Sequence, residues 1–527
     1  MSERLPRVFD ANVRIGRLAA SRGRHFEKSA DVIAAMDEFG ISRSLVYSAL
    51  ARESDCIRGN RLLQEQIAGQ SRLIPCWIGI PHREPAAQLV DRMNQFQVPA
   101  LRLFPSSGHF SARPWCLASL ADALSANAKT LILDFEGSTW SKDDIDWEGI
   151  QQLCATWPRL PVVVCSVTMA GPANYRGLLL QCQNLYLEIS ELVSPGEISQ
   201  LANAGLSDRL LFGSNMPTRH IGAPLAMIGM STLDAASRRR ILHENSERLL
   251  LPYGSLENPV TLREVPRFAD VVDTHVHLGG WNNSAAASGR TEDTIREMDR
   301  CGIQCAVATS LWSCFGEMAL GNEDVAKACA SFPGRIYGYL TLDPKHPAEV
   351  QSQLRRHEDN DSFRGIKLHT ETHAVPITDT LYSEILAYAH MRKMPVLIHA
   401  GFDPSTWENL CCLYPDAQFI AAHVGGAGQN NSQAIALASL ARTVKNLHFD
   451  LASTRNFYGF LNELIALAGI DKILYGSDYP LMDFAFELGQ IIFGNITEFE
   501  KYSILSKNAR RIFSIENRFI DIPPDIS

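Results

Sequence analysis

Several things are scarce in this chain of 527 residues, and each absence removes a class of function. No Lys/Arg block interrupts a net charge of -9. A net-acidic surface without a basic stretch is poorly suited to nucleic acid or to an anionic membrane. No apolar run reaches the roughly 18–20 residues that span a bilayer. The opening "MSERLPRVFD" has no apolar segment of the secretory kind, so a cytoplasmic location is expected. Twelve cysteines are present but no CxxC pair is; Cys301 and Cys305 flank "GIQ", and Cys411 and Cys412 adjoin. Buried reduced thiols are expected, not a structural zinc knuckle.

What is present is an ordinary globular composition, 46% hydrophobic and 20% charged, written twice. "FDANVRIG" (Phe9 to Gly16) has the outline of "VDTHVHLG" (Val272 to Gly279), and "FGSNMP" (Phe212 to Pro217) that of "YGSDYP" (Tyr475 to Pro480). Asp10 and Asp273, Asn215 and Asp478, and Asn245 and Asn508 are each 263 positions apart (273 − 10 for the first pair). A constant offset at both ends of a segment marks two equivalent units. The Pro- and Gly-bearing stretch after Leu251 lacks helical periodicity and places the boundary at 254/255, giving units 1–254 and 255–527.

In the second unit eight short apolar runs alternate with spacers long enough for helices. They are "DVVDTHVHL", "CAVATSL", "IYGYLTL", "GIKLHT", "PVLIHAG", "QFIAAHVG", "LHFDLA" and "KILYGSD". Runs rich in β-branched residues and bounded by Gly, Pro and polar residues fit strands buried on both faces. Eight strand–helix repeats per half predict an α/β protein of two tandem (β/α)8 TIM barrels.

Barrel enzymes build their sites at the C-terminal ends of the strands. His275 and His277, at i and i+2 on strand one, point to the same face. Lys367 and His369 lie on strand four, His399 ends strand five, His423 ends strand six, and Asp478 lies on strand eight. A single His ending an apolar strand is usually a core or capping residue. Histidines on three strands facing an Asp suit Zn²⁺ or a similar first-row divalent ion.

This combination, DxHxH on strand one, His on strands five and six and Asp in "GSDYP", resembles the amidohydrolase superfamily. The likeness is strongest to its amidohydrolase-2 branch of small hydrolases, lactonases and non-oxidative decarboxylases. It covers nearly all of 270–515 and, in degraded form, 7–250. The resemblance implies one divalent ion, Zn²⁺ with Mn²⁺ or Fe²⁺ as alternatives, bound by His275, His277, His399 and Asp478. It implies that His423 polarises the substrate or holds a second metal. Lys367 either binds a substrate anion or, carboxylated, bridges two metals. Asp478 is placed both as ligand and as general base. Asp273 is expected to support the strand-one histidines by hydrogen bonding. Substrate contacts are expected from Lys367, His369, Trp281 in "GGW" and Arg455 in "LASTRNFYG"; Glu371 and His373 are weaker candidates.

The implied activity is hydrolysis of an amide or lactone in a small carbonyl compound. Non-oxidative decarboxylation of a small carboxylic acid is the alternative, and a non-catalytic scaffold is the reading from another class. The first unit reads differently at the same positions: Asn12 and Arg14 for the paired histidines, Arg102 and Phe104 on strand four, Asp134 on strand five, Cys165 on strand six and Asn215 on strand eight. Arg offers a metal no lone pair and Asn cannot act as a base. A barrel without a metal site is expected there, serving in place of a dimer partner against the catalytic barrel or as a tethered remnant.

Overall fold

The computed structural model describes residues 7–18, 24–136, 145–168, 172–251, 265–282, 289–399, 401–426, 431–454 and 457–516. The chain divides into two compact units, with Val265 in the first and Pro266 in the second. The expected boundary at 254/255 falls at 252–264, outside the described residues.

The first unit is an eight-stranded parallel sheet in sequential order. Its strands are β1 (Phe9–Ile15), β2 (Arg43–Ser48), β3 (Leu73–Ile78), β4 (Ala100–Leu103), β5 (Thr130–Asp134), β6 (Val162–Cys165), β7 (Leu185–Glu188) and β8 (Leu210–Leu211). The second repeats this with β9 (Val272–Leu278), β10 (Cys305–Ser310), β11 (Ile336–Thr341), β12 (Phe363–His369), β13 (Pro395–His399), β14 (Gln418–Ala421), β15 (Leu447–Asp450) and β16 (Ile473–Leu474). Parallel bridges Val13↔Met216 and Val276↔Tyr479 close each sheet on itself. Ala11 N–H to the Phe212 carbonyl (2.9 Å) and Thr274 N–H to the Tyr475 carbonyl (3.0 Å) add to the closure. Both units are therefore (β/α)8 barrels, and all eight expected strands of the second are present.

The strands read as unbroken apolar runs because helices cover their outer faces and side chains fill the inside. Cys305, Val307, Leu397 and Ile420 are buried in the second barrel, and Leu45, Cys76, Ile132 and Val163 in the first. The helix Thr291–Cys301 shows the local logic. It carries Glu292 and Asp293 in its first turn, buries Ile295, Met298 and Cys301, and stops at Gly302 in the left-handed region (φ 77°). Its counterpart Ser29–Phe39 buries Val32, Met36 and Phe39 and stops at Gly40 (φ 72°).

The repeat anchors are largely structural. Asn245 donates to the carbonyls of Ser207 and Leu210, and Asn508 to those of Ile470 and Ile473, each at 2.8 to 2.9 Å. Each asparagine thus pins a final helix to the eighth strand of its barrel. Asp10 Oδ1 accepts from the backbone of Asn12 and Ser214, and Asp273 Oδ1 from that of His275 and Ser477. No helix among the described residues is long and apolar enough to cross a membrane.

Candidate active site

The C-terminal ends of β9, β12, β13 and β15, with the turns after β14 and β16, bring one polar cluster together in the second barrel. His275 is fully buried. Its Nδ1 lies 2.8 Å from Asp450 Oδ2, which accepts the Nδ1 hydrogen bond and leaves the lone pair on Nε2, where Lys367 Nζ meets it at 3.0 Å. His423 is set the same way: Nδ1 is 2.8 Å from the Ala452 carbonyl oxygen, and Nε2 faces His399 Nδ1 at 2.9 Å. His277 Nε2 lies 3.0 Å from Asp478 Oδ1, while Ser453 Oγ donates to Oδ2 of the same carboxylate. Ligand atoms of His275, His423 and Asp478 all lie within 4.8 Å of one another, a grouping able to hold a metal ion.

Backbone geometry makes this convergence possible. His423 and Asp478 both sit just past their strands in the left-handed region, at φ 56° and 65°, which turns the side chains across the mouth. The glycine of "YGSD" clears the way: a Cβ on Gly476 would stand 2.8 Å from the Cβ of His275. Gly425 (φ 79°) continues the turn after His423.

The electrostatics keep donors available. Burial pushes His275 and His399 well below the usual imidazole range, with nearby Lys367 and His423 respectively adding to the effect. His369, stacked on His399 with ring centroids 4.0 Å apart, is lowered to about 2, chiefly by burial. Burial opposes the charge on Asp478, yet the His277 hydrogen bond and the surrounding imidazoles hold it well below the usual carboxylate range. His277 is desolvated but rises to about 8 through its bond to Asp478. Lys367 is buried, its pKa lowered by that burial, and its Nζ is 3.0 Å from His275 Nε2. The neutral imidazoles of His275 and His399 beside one ionised carboxylate are donors of the kind a first-row divalent ion takes, and an ion would displace the proton that Asp478 helps to hold on His277.

The expected residues His275, His277, Lys367, His369, His399, His423 and Asp478 are thus gathered in one mouth. Glu371 Oε2 approaches His399 Nε2 at 3.7 Å, and His373 is buried in the short helix after β12. Trp281 stands half-buried in the loop after β9. Arg455 lies outside the described residues.

Sequence reasoning missed two neighbours. Asp450 ends "LHFD", and the first barrel keeps Glu188 at the end of "LYLE"; an acid retained at the end of both apolar strands was the available signal. The Cys314 thiol, after β10, is buried yet lowered by its hydrogen bond to His277, and no spacing pointed to it.

One equivalence needs correcting. Asp134 pairs with Cys165, whereas the register of β13 and β14 (Ile398↔Ala421) sets His399 opposite Ala422. Ser166, one residue on from Cys165, therefore matches His423. It shares the positive φ (63°), and its hydroxyl donates to Asp134 at 2.7 Å. The first barrel holds no comparable metal grouping among the described residues.

The model of the family described as Amidohydrolase matches residues 63–251 and 272–515, so each barrel carries its own match. Among curated protein sequences none matches the chain. Solved structures similar to it include 5-carboxyvanillate decarboxylase from Sphingomonas paucimobilis, at 14% identity and TM-score 0.39 over 47% of this chain and 100% of the other. A second is the 5-carboxyvanillate decarboxylase from Novosphingobium aromaticivorans with manganese and a nitrobenzoic acid, at 15% identity and TM-score 0.38 over 48% and 97%. A third is an uncharacterised TIM-barrel protein from Bordetella bronchiseptica, at 16% and 0.39 over 46% and 98%. With the family model matched in both halves, the chain belongs to the Amidohydrolase family, as a tandem duplication.

Proposed function

We propose that the second barrel is a metal-dependent hydrolase of an amide or lactone in a small carbonyl compound. The observation that carries this reading is the orientation of the donors. Asp450 and the Ala452 carbonyl hold the Nδ1 sides of His275 and His423, and ligand atoms of both lie within 4.8 Å of one from Asp478.

In this reading His275, His277, His399 and Asp478 hold one divalent ion, Zn²⁺ in the first instance, with Mn²⁺ or Fe²⁺ as alternatives. Bound there, such an ion would polarise a carbonyl and lower the pKa of a water toward neutrality. Asp478 stays ionised, so it can accept the water's proton and return it to the leaving group. His423, held at Nδ1 by the Ala452 carbonyl, would polarise the carbonyl oxygen as an imidazolium with Nε2 donating. His369, Lys367, Trp281 and Arg455 would contact the rest of the substrate.

The test uses the purified full chain. Metal analysis should find one divalent ion per chain, and amide and lactone panels should give turnover that Asp478→Asn abolishes. Release of CO2 from small carboxylic acids without hydrolysis would move the assignment to a decarboxylase. Absence of a bound ion, with no effect of His275→Ala, would leave only a scaffold.

A further inference from the structure

In the first barrel most buried charges near the axis are already answered. Arg102 Nη1 donates to the Asn12 carbonyl oxygen at 2.8 Å and to Asp134 Oδ2 at 3.0 Å. Asp134 also accepts from Ser166, Glu188 from Asn12 and Ser190, and Asp10 from Ser214.

Arg14 is the exception. It stands where the second barrel has His277, and it is 2% exposed. Its Nη1 donates to Thr218 Oγ1 at 2.7 Å. Its Nε and Nη2 are sheltered from water and have no hydrogen-bond partner among the described residues. Among the described residues no carboxylate comes within ion-pair distance of it; Glu53, whose charge reaches it, is paired with Arg52. The Tyr47 phenol, on the strand beside it, is a further polar neighbour.

A guanidinium stays charged in proteins. Burying a charge without a partner is strongly unfavourable. The two orphan N–H groups are not scattered: Nε and Nη2 form one edge of the planar guanidinium, and that edge is the fork that receives both oxygens of a carboxylate. The same edge would also receive two oxygens of a phosphate, so the choice between them rests on the apolar surface beside it. The aromatic walls Tyr47 and Phe104, with ring centroids 5.9 Å apart, lie in the same barrel mouth and suit an apolar body behind the carboxylate.

We infer that the first barrel is a binding site for a small organic carboxylate, held bidentately by the Nε–Nη2 edge of Arg14. This inference stands independently of the reaction assigned to the second barrel. Where the second barrel has the imidazole of His277, the first has the donor edge of Arg14, so this position in the fold has exchanged a metal-ligand side chain for an anion-binding one.

The test is titration calorimetry of the full chain with benzoate, succinate and inorganic phosphate, comparing the native protein with Arg14→Lys and Thr218→Val. Any binding at the second barrel is common to all three proteins and cancels in the comparison. Arg14→Lys keeps the charge and loses the fork; at least one of the two carboxylates should bind it tenfold or more weakly than it binds the native protein. Thr218→Val, which frees the guanidinium to turn, should weaken that carboxylate severalfold, and it remains informative should Arg14→Lys fail to fold. Phosphate binding should depend on Arg14 less than carboxylate binding does. Equal carboxylate affinity in the native and variant proteins, absence of carboxylate binding, or a phosphate signal more sensitive to Arg14 than the carboxylate signal would each overturn the inference.

Discussion

The two barrels share a hydrogen-bond skeleton but not its chemistry. In the second, Lys367 reaches His275, and His275 reaches Asp450, at 3.0 and 2.8 Å. In the first, Arg102 reaches Asn12, and Asn12 reaches Glu188, both at 2.8 Å. The same three strands supply base, centre and acid in the same order. What changes is what is left over. The histidine tied at Nδ1 turns its Nε2 lone pair to Lys367, a contact a metal ion would replace, whereas Asn12 spends its oxygen on Arg102 and its amide on Glu188. Arg102 also spans to Asp134, where the second barrel has His399. The first centre is closed upon itself, and the second keeps donors that a metal ion could take over. The polar architecture persists where the histidines have been replaced, because buried polar groups must be satisfied whatever their function.

The sharpest test of that contrast removes one residue at equivalent positions. Asp478→Asn or His275→Ala should cut turnover by about 10³-fold or more and remove the bound ion. Asn215→Ala or Asn12→Ala should leave metal content and turnover unchanged. Element analysis with activity assays reads both, and metal loss from a first-barrel variant would break the division of labour.

Next in size is the cation on strand four. Arg102→Met strands Asp134 in the interior and should cost about 3–5 kcal/mol of unfolding free energy in denaturant melts. Lys367 has no carboxylate within ion-pair distance among the described residues, and burial already works against its charge. Lys367→Met should therefore leave stability nearly intact while reducing turnover.

A pH series sharpens the comparison further. Burial raises Glu188 from 4.5 to about 7, so the folded state binds its proton more tightly than the unfolded chain. Its contribution to stability is full below about pH 4.5 and is lost as pH rises to about 7, a change of roughly 3 kcal/mol. Glu188→Gln should flatten that slope in melts between these values; an unchanged slope would place the proton elsewhere. Smallest is Asp450→Asn, which loosens the orientation of His275 and should weaken metal affinity by roughly 10–100-fold in chelator competition.

Much of this was legible in the chain. Every strand of the second barrel coincides with a run of apolar residues, because a strand buried on both faces has little choice of side chain. The seven expected site residues among β9 to β16 lie in one mouth because the barrel places strand ends there. Asp450 escaped notice because one acid closing an apolar run has no partner in sequence; its role is defined by His275, 175 positions away. The pairing of Cys165 with His423 was one residue off because the segments before it differ in length, and only strand register settles such an offset.

The sequence by itself determined the architecture: two copies, eight strands each, and which copy retains histidines, since periodicity and offset are properties of the chain alone. Only the tertiary structure decided which atoms are spent and which are free. That depends on distances of 3 Å between strands far apart in sequence. Asp450, Ser166 and the unpaired edge of Arg14 acquire their meaning there, because hydrogen bonds and charge burial are settled by neighbours in space.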